Sequence, residues 1–150
     1  MPEAKKSLSQ NFLVDKNISK KIIELADIKN NIIVEIGPGY GILTDFILKK
    51  KPKKIYLIEK DNNLSKKLTE KYKYYKNIEI INEDIMKIDL LKFGSCSYIS
   101  NLPYNVSVKI ILYLFSNHQR INEMIFMLQK EVALKFDYKL NKMNKYKFLT

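Results

Sequence analysis

The chain has 150 residues, of which 46% are hydrophobic, with ten tyrosines, seven phenylalanines and a formal net charge of +11. This composition excludes wholesale disorder, and the apolar runs are too short to span a bilayer. A single cysteine, Cys96, excludes a disulfide framework and a cysteine-rich zinc site. With no secretory pattern in the first residues, we expect one metal-free domain, or part of one, in the cytoplasm.

The positive charge is carried almost wholly by lysine, and Arg120 is the only arginine. Such an excess favours a polyanionic partner, because lysines that contact phosphates give an affinity that depends on salt and not on base sequence. The abundance of Lys, Ile, Asn and Tyr also fits the codon bias of an AT-rich genome, which leaves this signal open. The scarcity of arginine argues against a module that reads duplex bases through bidentate guanine contacts.

Strand-like and helix-like segments alternate along the chain. Apolar residues at helical spacing predict helices, and short runs rich in β-branched residues predict strands. The predicted elements are a helix at 18–26, a strand at 31–36, a helix at 42–48 that ends before Pro52, a strand at 55–58, a helix ending near 75, strands at 78–81 and 97–101, a helix at 108–115, a strand at 123–128 and a helix beginning at 129–136.

Several remaining residues are expected to be structural or solvated. Cys96 is predicted to be a small core residue, and His118, in a polar stretch, a solvated loop residue rather than a catalyst or ligand. The lysine-rich segment from Lys135 to Lys147 is predicted to be a linker or loop, facing either RNA or solvent. Residues 146–150 resemble the opening of a further element, which suggests truncation.

Strands that alternate with helices and are buried on both faces predict an α/β fold with a doubly wound, mostly parallel, Rossmann-like sheet. Ligands bind to such sheets beyond the carboxyl ends of the strands. The residues that follow each predicted strand are therefore the candidates for a functional site.

The first predicted strand ends in the turn Gly37-Pro38-Gly39-Tyr40-Gly41. Glycines permit positive φ and close approach of the backbone to a ligand, and the following helix offers free amides. Compared with the dehydrogenase pattern GxGxxG, the third glycine comes one residue early, and Pro38 lacks an amide donor. The turn therefore favours a ligand without a pyrophosphate, such as S-adenosylmethionine, over a nicotinamide dinucleotide.

An acidic residue lies just after each of the next two strands. Glu59 is placed to accept both hydroxyls of a ribose, with a solvated loop acid as the alternative. Asp84 is placed to accept the amino group of the cofactor's adenine, with Ile85 or Met86 against the ring. Joined in this order with the segment that follows the fourth predicted strand, the glycine turn and the two acids predict a class I methyltransferase that depends on S-adenosyl-L-methionine.

The fourth predicted strand runs into Asn101-Leu102-Pro103-Tyr104. An exocyclic amine on a base is a poor nucleophile, because its lone pair is delocalised into the ring. The side-chain oxygen of Asn101 and the carbonyl of Leu102 would accept its two N–H bonds and stabilise the developing positive charge. Pro103 forms the turn and Tyr104 would stack on the base, although Asn-x-Pro is also a common turn sequence.

Four segments in register resemble the KsgA family of small-subunit rRNA adenine N6,N6-dimethyltransferases. The segments are Ser9-Gln10-Asn11-Phe12-Leu13, Glu35-Ile36-Gly37-Pro38-Gly39, Asn101-Leu102-Pro103-Tyr104-Asn105 and Leu128-Gln129-Lys130-Glu131-Val132. The resemblance implies dimethylation of two adjacent adenines near the 3′ end of small-subunit rRNA, in a pre-assembled subunit, by a monomer that needs S-adenosyl-L-methionine and no metal.

The resemblance also implies a role for individual residues. Asn11 and Leu13 would line the entrance for the cofactor, Gly37 would contact its amino-acid part, Glu59 its ribose and Asp84 its adenine, while Asn101 would lie between the cofactor and the target amine and Tyr104 would stack on the flipped adenine.

The family continues beyond this sequence with further strands, a proline-rich loop and a C-terminal helical domain. We therefore expect residues 1–150 to be the N-terminal methyltransferase domain, incomplete and without the helical domain. Two alternatives remain: an adenine methyltransferase of the large subunit, of the macrolide-resistance type, and a non-catalytic RNA-binding assembly factor. Pro38, Leu102 and the segment Gln129-Lys130-Glu131-Val132 favour the small-subunit enzymes over the first, and the intact Asn101 and Tyr104 argue against the second.

Overall fold

A computed structural model of the chain describes residues 16–140 and 146–149. None of the helices in these two ranges combines the length and the apolar character that crossing a membrane requires. In chain order the elements are α1 (Lys16–Glu24), β1 (Ile32–Ile36), α2 (Ile42–Lys49), β2 (Lys54–Ile58), α3 (Asn62–Tyr72), β3 (Ile78–Ile81), two short 3₁₀ helices (Ile85–Lys87 and Leu90–Phe93), β4 (Cys96–Asn101), α4 (Ser107–Asn117), β5 (Ile121–Met127), α5 (Lys130–Leu140) and β6 (Tyr146–Leu149).

The six described strands form one sheet in the order β3-β2-β1-β4-β5-β6. Every neighbouring pair is parallel. From β1 the chain winds outward through β2 and β3, and it then returns to the other side of β1 with β4. The strand order therefore reverses between β1 and β4, and the α/β doubly wound parallel fold expected from the sequence is confirmed.

Alternate residues of each strand pack into hydrophobic cores on opposite faces of the sheet. Ile33 of β1 and Ile55 of β2 face a core that α1, α2 and α3 complete. Val34 and Tyr56 face the other core, which α4, the two 3₁₀ helices and Ala133 of α5 complete. Because both faces are covered, the strands are apolar throughout, as the β-branched runs in the sequence predict.

The prediction of a loop from Lys135 to Lys147 is wrong for most of that segment. α5 continues to Leu140 and β6 begins at Tyr146, while residues 141–145 lie outside the described part of the chain. Phe148 of β6 packs against Phe126 of β5 and Phe136 of α5, with ring centroids 6.5 and 5.7 Å apart. These apolar contacts outweigh the lysines that suggested a loop, and β6 agrees with the further element expected at 146–150.

The expectation that His118 is a solvated loop residue is also wrong. Its Nδ1 lies 2.7 Å from the Tyr98 hydroxyl, and its Nε2 lies 2.9 Å from the carbonyl oxygen of Gly94. Nε2 therefore donates to Gly94 and Nδ1 accepts from Tyr98, which describes a neutral imidazole. Burial lowers the pKa of His118, opposed by the hydrogen bond to Gly94. Cys96 is fully buried, as predicted, and burial raises the pKa of its thiol to about 12.

Candidate active site

A cavity of about 210 Å³ opens beyond the carboxyl ends of the strands, where the strand order reverses. This edge is the expected ligand site of a doubly wound sheet. Its walls come from the loops that follow β1, β2, β3 and β4 and from the first residues of α2. The lining residues include Gly37, Pro38, Gly39, Tyr40, Ile58, Glu59, Lys60, Glu83, Asp84, Ile85, Met86, Asn101, Pro103 and Asn105.

The glycine turn after β1 forms one wall, and its glycines have conformations that other residues rarely adopt. Gly37, Gly39 and Gly41 have φ values of 67°, 59° and 79°. The Gly37 amide donates to the carbonyl of Ile58 at 2.8 Å, which continues the pairing of β1 with β2 into the turn. A Cβ on Gly41 would lie 2.3 Å from the Tyr72 hydroxyl oxygen, so a side chain at this position would displace the Tyr72 ring.

Residues of α2 and α3 fix the far end of this turn. The Tyr72 hydroxyl lies 2.8 Å from the carbonyl oxygen of Gly41 and 2.7 Å from an oxygen of Asp45. The ammonium of Lys71 donates to the other Asp45 oxygen at 2.7 Å and to the carbonyl of Tyr40 at 3.1 Å. A charged pair and a buried tyrosine thus position the backbone that lines the cavity.

Glu59 follows β2 and holds a buried carboxylate at the edge of the cavity. One oxygen accepts the Asp61 amide at 2.8 Å, and the other accepts the Gly39 amide at 3.3 Å. Burial raises the pKa of Glu59, and these amide hydrogen bonds oppose the rise. The two contacts fix the carboxylate and leave lone pairs on both oxygens for a ligand.

Asp84 follows β3 and is only partly buried, with 16% of its side chain exposed. One oxygen caps the first 3₁₀ helix by accepting the Met86 amide at 3.0 Å, and the other accepts from the ammonium of Lys60 at 2.9 Å. Burial alone would raise the pKa of Asp84, but the hydrogen bonds from Lys60 and Met86 outweigh it and lower the pKa. Asp84 is therefore an ionised acceptor at the mouth of the cavity.

Glu35 also lines the cavity, although the sequence pattern gave it no role. It is buried within β1, and the Thr44 hydroxyl donates to its Oε2 at 2.6 Å. Burial raises the pKa of Glu35 to about 8, which the hydrogen bond from Thr44 opposes. An acid inside the β-branched run at 31–36 was the available signal, because a strand buried on both faces has no solvated position for a carboxylate.

The tetrapeptide after β4 divides between the cavity and the core. Asn101 ends β4, is half-buried and lines the cavity together with Pro103. Pro103 lies beside the glycine turn, and its Cδ would be 3.8 Å from a Cβ added to Gly37. The Leu102 side chain is fully buried in the core, and the half-buried Tyr104 is not among the lining residues.

Five of the residues selected from the sequence therefore meet at one cavity: Gly37, Glu59, Asp84, Asn101 and Pro103. Ile85 and Met86, expected against the cofactor ring, line it as well. Asn11 and Leu13 lie outside the described residues. Within the described ranges no three His, Cys, Asp or Glu side chains are grouped as a metal ion would need.

Comparison with solved structures relates this fold to RNA methyltransferases. The crystal structure of the 23S rRNA methyltransferase ErmE matches with a TM-score of 0.76 and 27% identity, over 86% of this chain and 52% of that chain. A dimethyladenosine transferase from Plasmodium falciparum matches with a TM-score of 0.72 and 33% identity, over 83% of this chain and 46% of that chain. The fold is that of the class I methyltransferases.

Sequence comparison gives the same relationship. Ribosomal RNA small subunit methyltransferase A of Pelagibacter ubique (strain HTCC1062) is 45% identical over 148 residues, which are 95% of this chain and 55% of that protein. The protein of the same name from Hydrogenobaculum sp. (strain Y04AAS1) is 41% identical over 134 residues, 89% of this chain and 52% of that protein. The chain thus spans about half the length of these curated relatives. Residues 1–149 match the ribosomal RNA adenine dimethylase family, and the chain belongs to that family.

Proposed function

We propose that this chain is the part of a small-subunit rRNA adenine N6,N6-dimethyltransferase that binds S-adenosyl-L-methionine. The full reaction places two methyl groups on each of two adjacent adenines near the 3′ end of the small-subunit rRNA and contributes to ribosome biogenesis in the cytoplasm. Membership of the adenine dimethylase family and relatives named as small-subunit methyltransferases support this activity.

The observation that carries the proposal is the meeting of the glycine turn, Glu59, Asp84 and Asn101 at one cavity. Each comes from a different strand end, so the fold brings together four groups that are far apart in the sequence. Three of them suit the parts of one cofactor, because the glycine turn presents exposed backbone, Glu59 is a fixed acceptor and Asp84 is an ionised acceptor. The fourth, Asn101, offers an amide oxygen to an amine.

The chemical character of the cavity fits S-adenosyl-L-methionine. Glu59 would accept the ribose hydroxyls and Asp84 the adenine amine, because both carboxylates lie at the rim with acceptor capacity remaining. Ile85 and Met86 supply an apolar wall for a ring, and Met86 is 37% exposed there. Gly37 presents backbone to the amino-acid part, and Asn11 and Leu13 would line the entrance. When bound, S-adenosyl-L-methionine supplies an electrophilic methyl group on a positively charged sulfur.

The residues after β4 would act on the target base. Asn101 and the carbonyl of Leu102 would accept the two N–H bonds of the adenine amine and stabilise the charge that grows on nitrogen. The bound cofactor would supply the methyl group, and the amine would release its proton to solvent after the transfer. Pro103 shapes this turn. Taking the adenine out of its stack costs a few kcal/mol, of which stacking on Tyr104 would return about 1–3 kcal/mol.

The partner proposed for this site is rRNA in a pre-assembled small subunit, with the protein acting as a monomer. Residues 1–150 would form the N-terminal methyltransferase domain, to which the relatives add a further half of their length. Methylation of large-subunit rRNA is the second candidate, since the structure named a 23S rRNA methyltransferase matches with 27% identity. Three sequence features favour the small-subunit substrate: Pro38 within the glycine turn, the leucine at position 102 and the segment 129–132.

To test this proposal, the chain is incubated with isotopically labelled S-adenosyl-L-methionine and undermethylated small ribosomal subunits. A separate reaction contains large subunits in place of small ones. We expect label on two adjacent adenines near the 3′ end of the small-subunit rRNA, located by mass spectrometry of nuclease fragments. The variant Asn101→Ala should lose transfer and keep cofactor binding in calorimetry. Transfer to large subunits instead would favour the second candidate. Normal turnover by Asn101→Ala would refute the role given to this side chain.

A further inference from the structure

A second surface, rich in lysine and tyrosine, lies at the opposite end of the sheet from the cavity. We call it the amino-end surface, and it consists of three loops at residues 29–31, 49–53 and 73–77, the second of which begins with the last residue of α2. These loops lead into β1, β2 and β3, so they lie at the amino ends of parallel strands whose carboxyl ends line the cavity. Five-residue strands separate the two ends by about 17 Å.

Hydrogen bonds join the three loops into one surface. The Asn30 amide donates to the carbonyl of Lys51 at 3.1 Å, and the Lys53 amide donates to the carbonyl of Asn31 at 2.9 Å. On the other side, the Asn77 side chain donates to the carbonyl of Pro52 at 3.2 Å. The loop at 49–53 is thus held between the other two, and side chains from all three are presented together.

The charge of this surface is of one sign. The three loops contain seven lysines and no aspartate or glutamate. All seven lysines are exposed, and among the described residues only Lys73 forms a salt bridge, with Glu70 of α3. Lys54, which directly follows the loop at 49–53, is paired with Glu79, and Lys60 and Lys71 elsewhere on the molecule are also each paired with a carboxylate. The lysines are Lys29, Lys49, Lys50, Lys51, Lys53, Lys73 and Lys76.

Two adjacent tyrosines lie among these lysines with their rings open to solvent. Tyr74 is 85% exposed and Tyr75 is 48% exposed. Tyr75 is supported from below by the buried Tyr72, whose ring centroid lies 5.8 Å away in an edge-on arrangement. The ammonium of Lys73 lies 5.2 Å from the centroid of the Tyr74 ring. Nothing described in the fold covers the Tyr74 ring, so it is available for stacking.

We infer that the amino-end surface binds single-stranded RNA, with its lysines on the phosphates and Tyr74 stacked on a base. Basic grooves with aromatic platforms are the usual means of holding unpaired nucleotides. An anionic membrane is less well matched, because membrane-surface segments insert Leu, Phe or Trp and these loops contain none of them. This binding needs neither the cofactor nor methyl transfer, so it goes beyond the function proposed above.

The lysine contribution is tested by fluorescence anisotropy with labelled oligoadenylate RNA of about 12 nucleotides, within the site sizes of single-strand binders. The double variant Lys50→Gln/Lys53→Gln removes two charges from the amino-end surface, and Lys109→Gln/Lys130→Gln removes two exposed lysines of α4 and α5. We expect the slope of log affinity against log salt to become shallower by about 1.4 in the first variant, since each phosphate contact contributes about 0.7. Equal changes in both variants would overturn the proposal.

Substitutions of Tyr74 test whether an aromatic ring contributes to RNA binding beyond the positive charge of the surface. Tyr74→Ala should weaken RNA binding about fivefold or more, whereas Tyr74→Phe, which retains the ring, should bind like the parent. Unchanged far-ultraviolet circular dichroism would confirm that each variant folds. Undiminished binding by Tyr74→Ala would refute the stacking role, and tighter binding to phosphatidylserine vesicles than to RNA would refute the partner. Because the assay contains no cofactor, its outcome is independent of whether the chain transfers methyl groups.

Discussion

At the scale of single residues, two aspartates perform the same local task in different places. Asp84 and Asp89 each cap a 3₁₀ helix by accepting an amide at 3.0 Å, from Met86 and Leu91 respectively. Only Asp84 lines the cavity. Comparing substitutions of the two aspartates therefore separates the structural contribution of a helix cap from a contribution to ligand binding.

We expect Asp84→Ala to weaken binding of S-adenosyl-L-methionine about tenfold or more, since a hydrogen bond to a charged group contributes about 1.5–3 kcal/mol. Asp89→Ala should lose a similar cap and keep the parental Kd. Isothermal titration calorimetry of both variants makes the comparison. An equal loss in the two variants would show that Asp84 acts only through the 3₁₀ helix that it caps.

The buried Glu35 gives stability a dependence on pH. Its pKa is about 8 in the folded chain, compared with its ordinary value of 4.5. Between these values the folded protein retains a proton that the unfolded chain releases, so the free energy of unfolding falls as pH rises, by up to about 1.4 kcal/mol per pH unit. The contribution is fully present below pH 4.5 and lost as pH rises through about 8. Glu59, whose pKa is also raised, acts in the same direction.

We therefore expect Glu35→Gln to flatten the decline in stability between pH 5 and pH 8, because an amide can still accept from the Thr44 hydroxyl without ionising. Urea unfolding of the variant and the parent at several pH values measures this slope. Glu83→Gln is the matched control, since Glu83 lines the same cavity but is exposed. Parallel pH profiles for Glu35→Gln and the parent would contradict the assignment.

The sequence predicted some site residues better than others, for a physical reason. Gly37, Glu59 and Asp84 follow predicted strands, and the rule that ligands bind at carboxyl ends selected them without a structure. Glu35 and His118 required knowledge of burial, which depends on contacts distant in sequence. The Gly94 carbonyl and the Tyr98 hydroxyl that bind His118 are 24 and 20 residues away.

At the scale of elements, two glycines with positive φ differ in their surroundings. Gly41 has a φ of 79° and meets Tyr72, whereas Gly94 has a φ of 63° and open space, with no atom within 4 Å of the point that a Cβ would occupy. A side chain at either position is strained by the backbone conformation. Only at Gly41 would it also collide with a neighbouring element.

Gly94→Ala should therefore lose about 1–3 kcal/mol of stability from the backbone alone, because its φ of 63° and ψ of −146° lie in a region that is almost exclusive to glycine. Gly41→Ala should lose about 1–2 kcal/mol from its left-handed backbone and about 1–3 kcal/mol more because the Tyr72 side chain must move away from the new Cβ. It should also weaken cofactor binding, since the turn lines the cavity. Urea denaturation and calorimetry measure the two effects, and a loss of stability in Gly41→Ala no larger than the backbone contribution of about 1–2 kcal/mol would contradict the close approach of Tyr72.

The regular elements were predictable because their patterns are local. The predicted strands at 55–58, 78–81 and 97–101 agree with β2, β3 and β4 to within one residue. The two 3₁₀ helices between β3 and β4 were not predicted, because segments of three and four residues are too short to show a hydrophobic period. Their apolar residues Ile85, Leu90 and Phe93 are nevertheless buried in the core.

At the scale of the whole molecule, β6 protects the apolar strand β5. The two strands pair in parallel from Met124 with Tyr146 to Met127 with Leu149, and the Leu128 amide donates to the Leu149 carbonyl at 2.8 Å. Without β6, the segment Met124-Ile125-Phe126-Met127 would become an uncovered edge of high β propensity. Such edges template aggregation.

A chain ending at residue 145 should therefore aggregate at concentrations where the full chain does not. Light scattering during a temperature ramp measures this, and a chain lacking only Thr150 is the control. Phe148→Ala keeps the strand but removes the ring that packs against Phe126 and Phe136. It should cost less than the about 3–5 kcal/mol of a fully buried phenylalanine, because Phe148 is partly exposed, and it should not uncover the edge. Equal solubility of the 145-residue chain and the control would contradict the protective role of β6.

The buried link between Tyr98, His118 and Gly94 has a practical consequence for all of these measurements. His118 is the single histidine of the sequence, so the imidazole region of a proton magnetic resonance spectrum contains one set of ring signals. In the folded chain these signals come from a neutral ring beside the Tyr98 aromatic system, whose centroid lies 5.6 Å away. In an unfolded chain they shift with pH around 6.5, the ordinary pKa of the group. One resonance therefore reports, residue-specifically and without an added label, whether this chain is folded under the conditions of each assay.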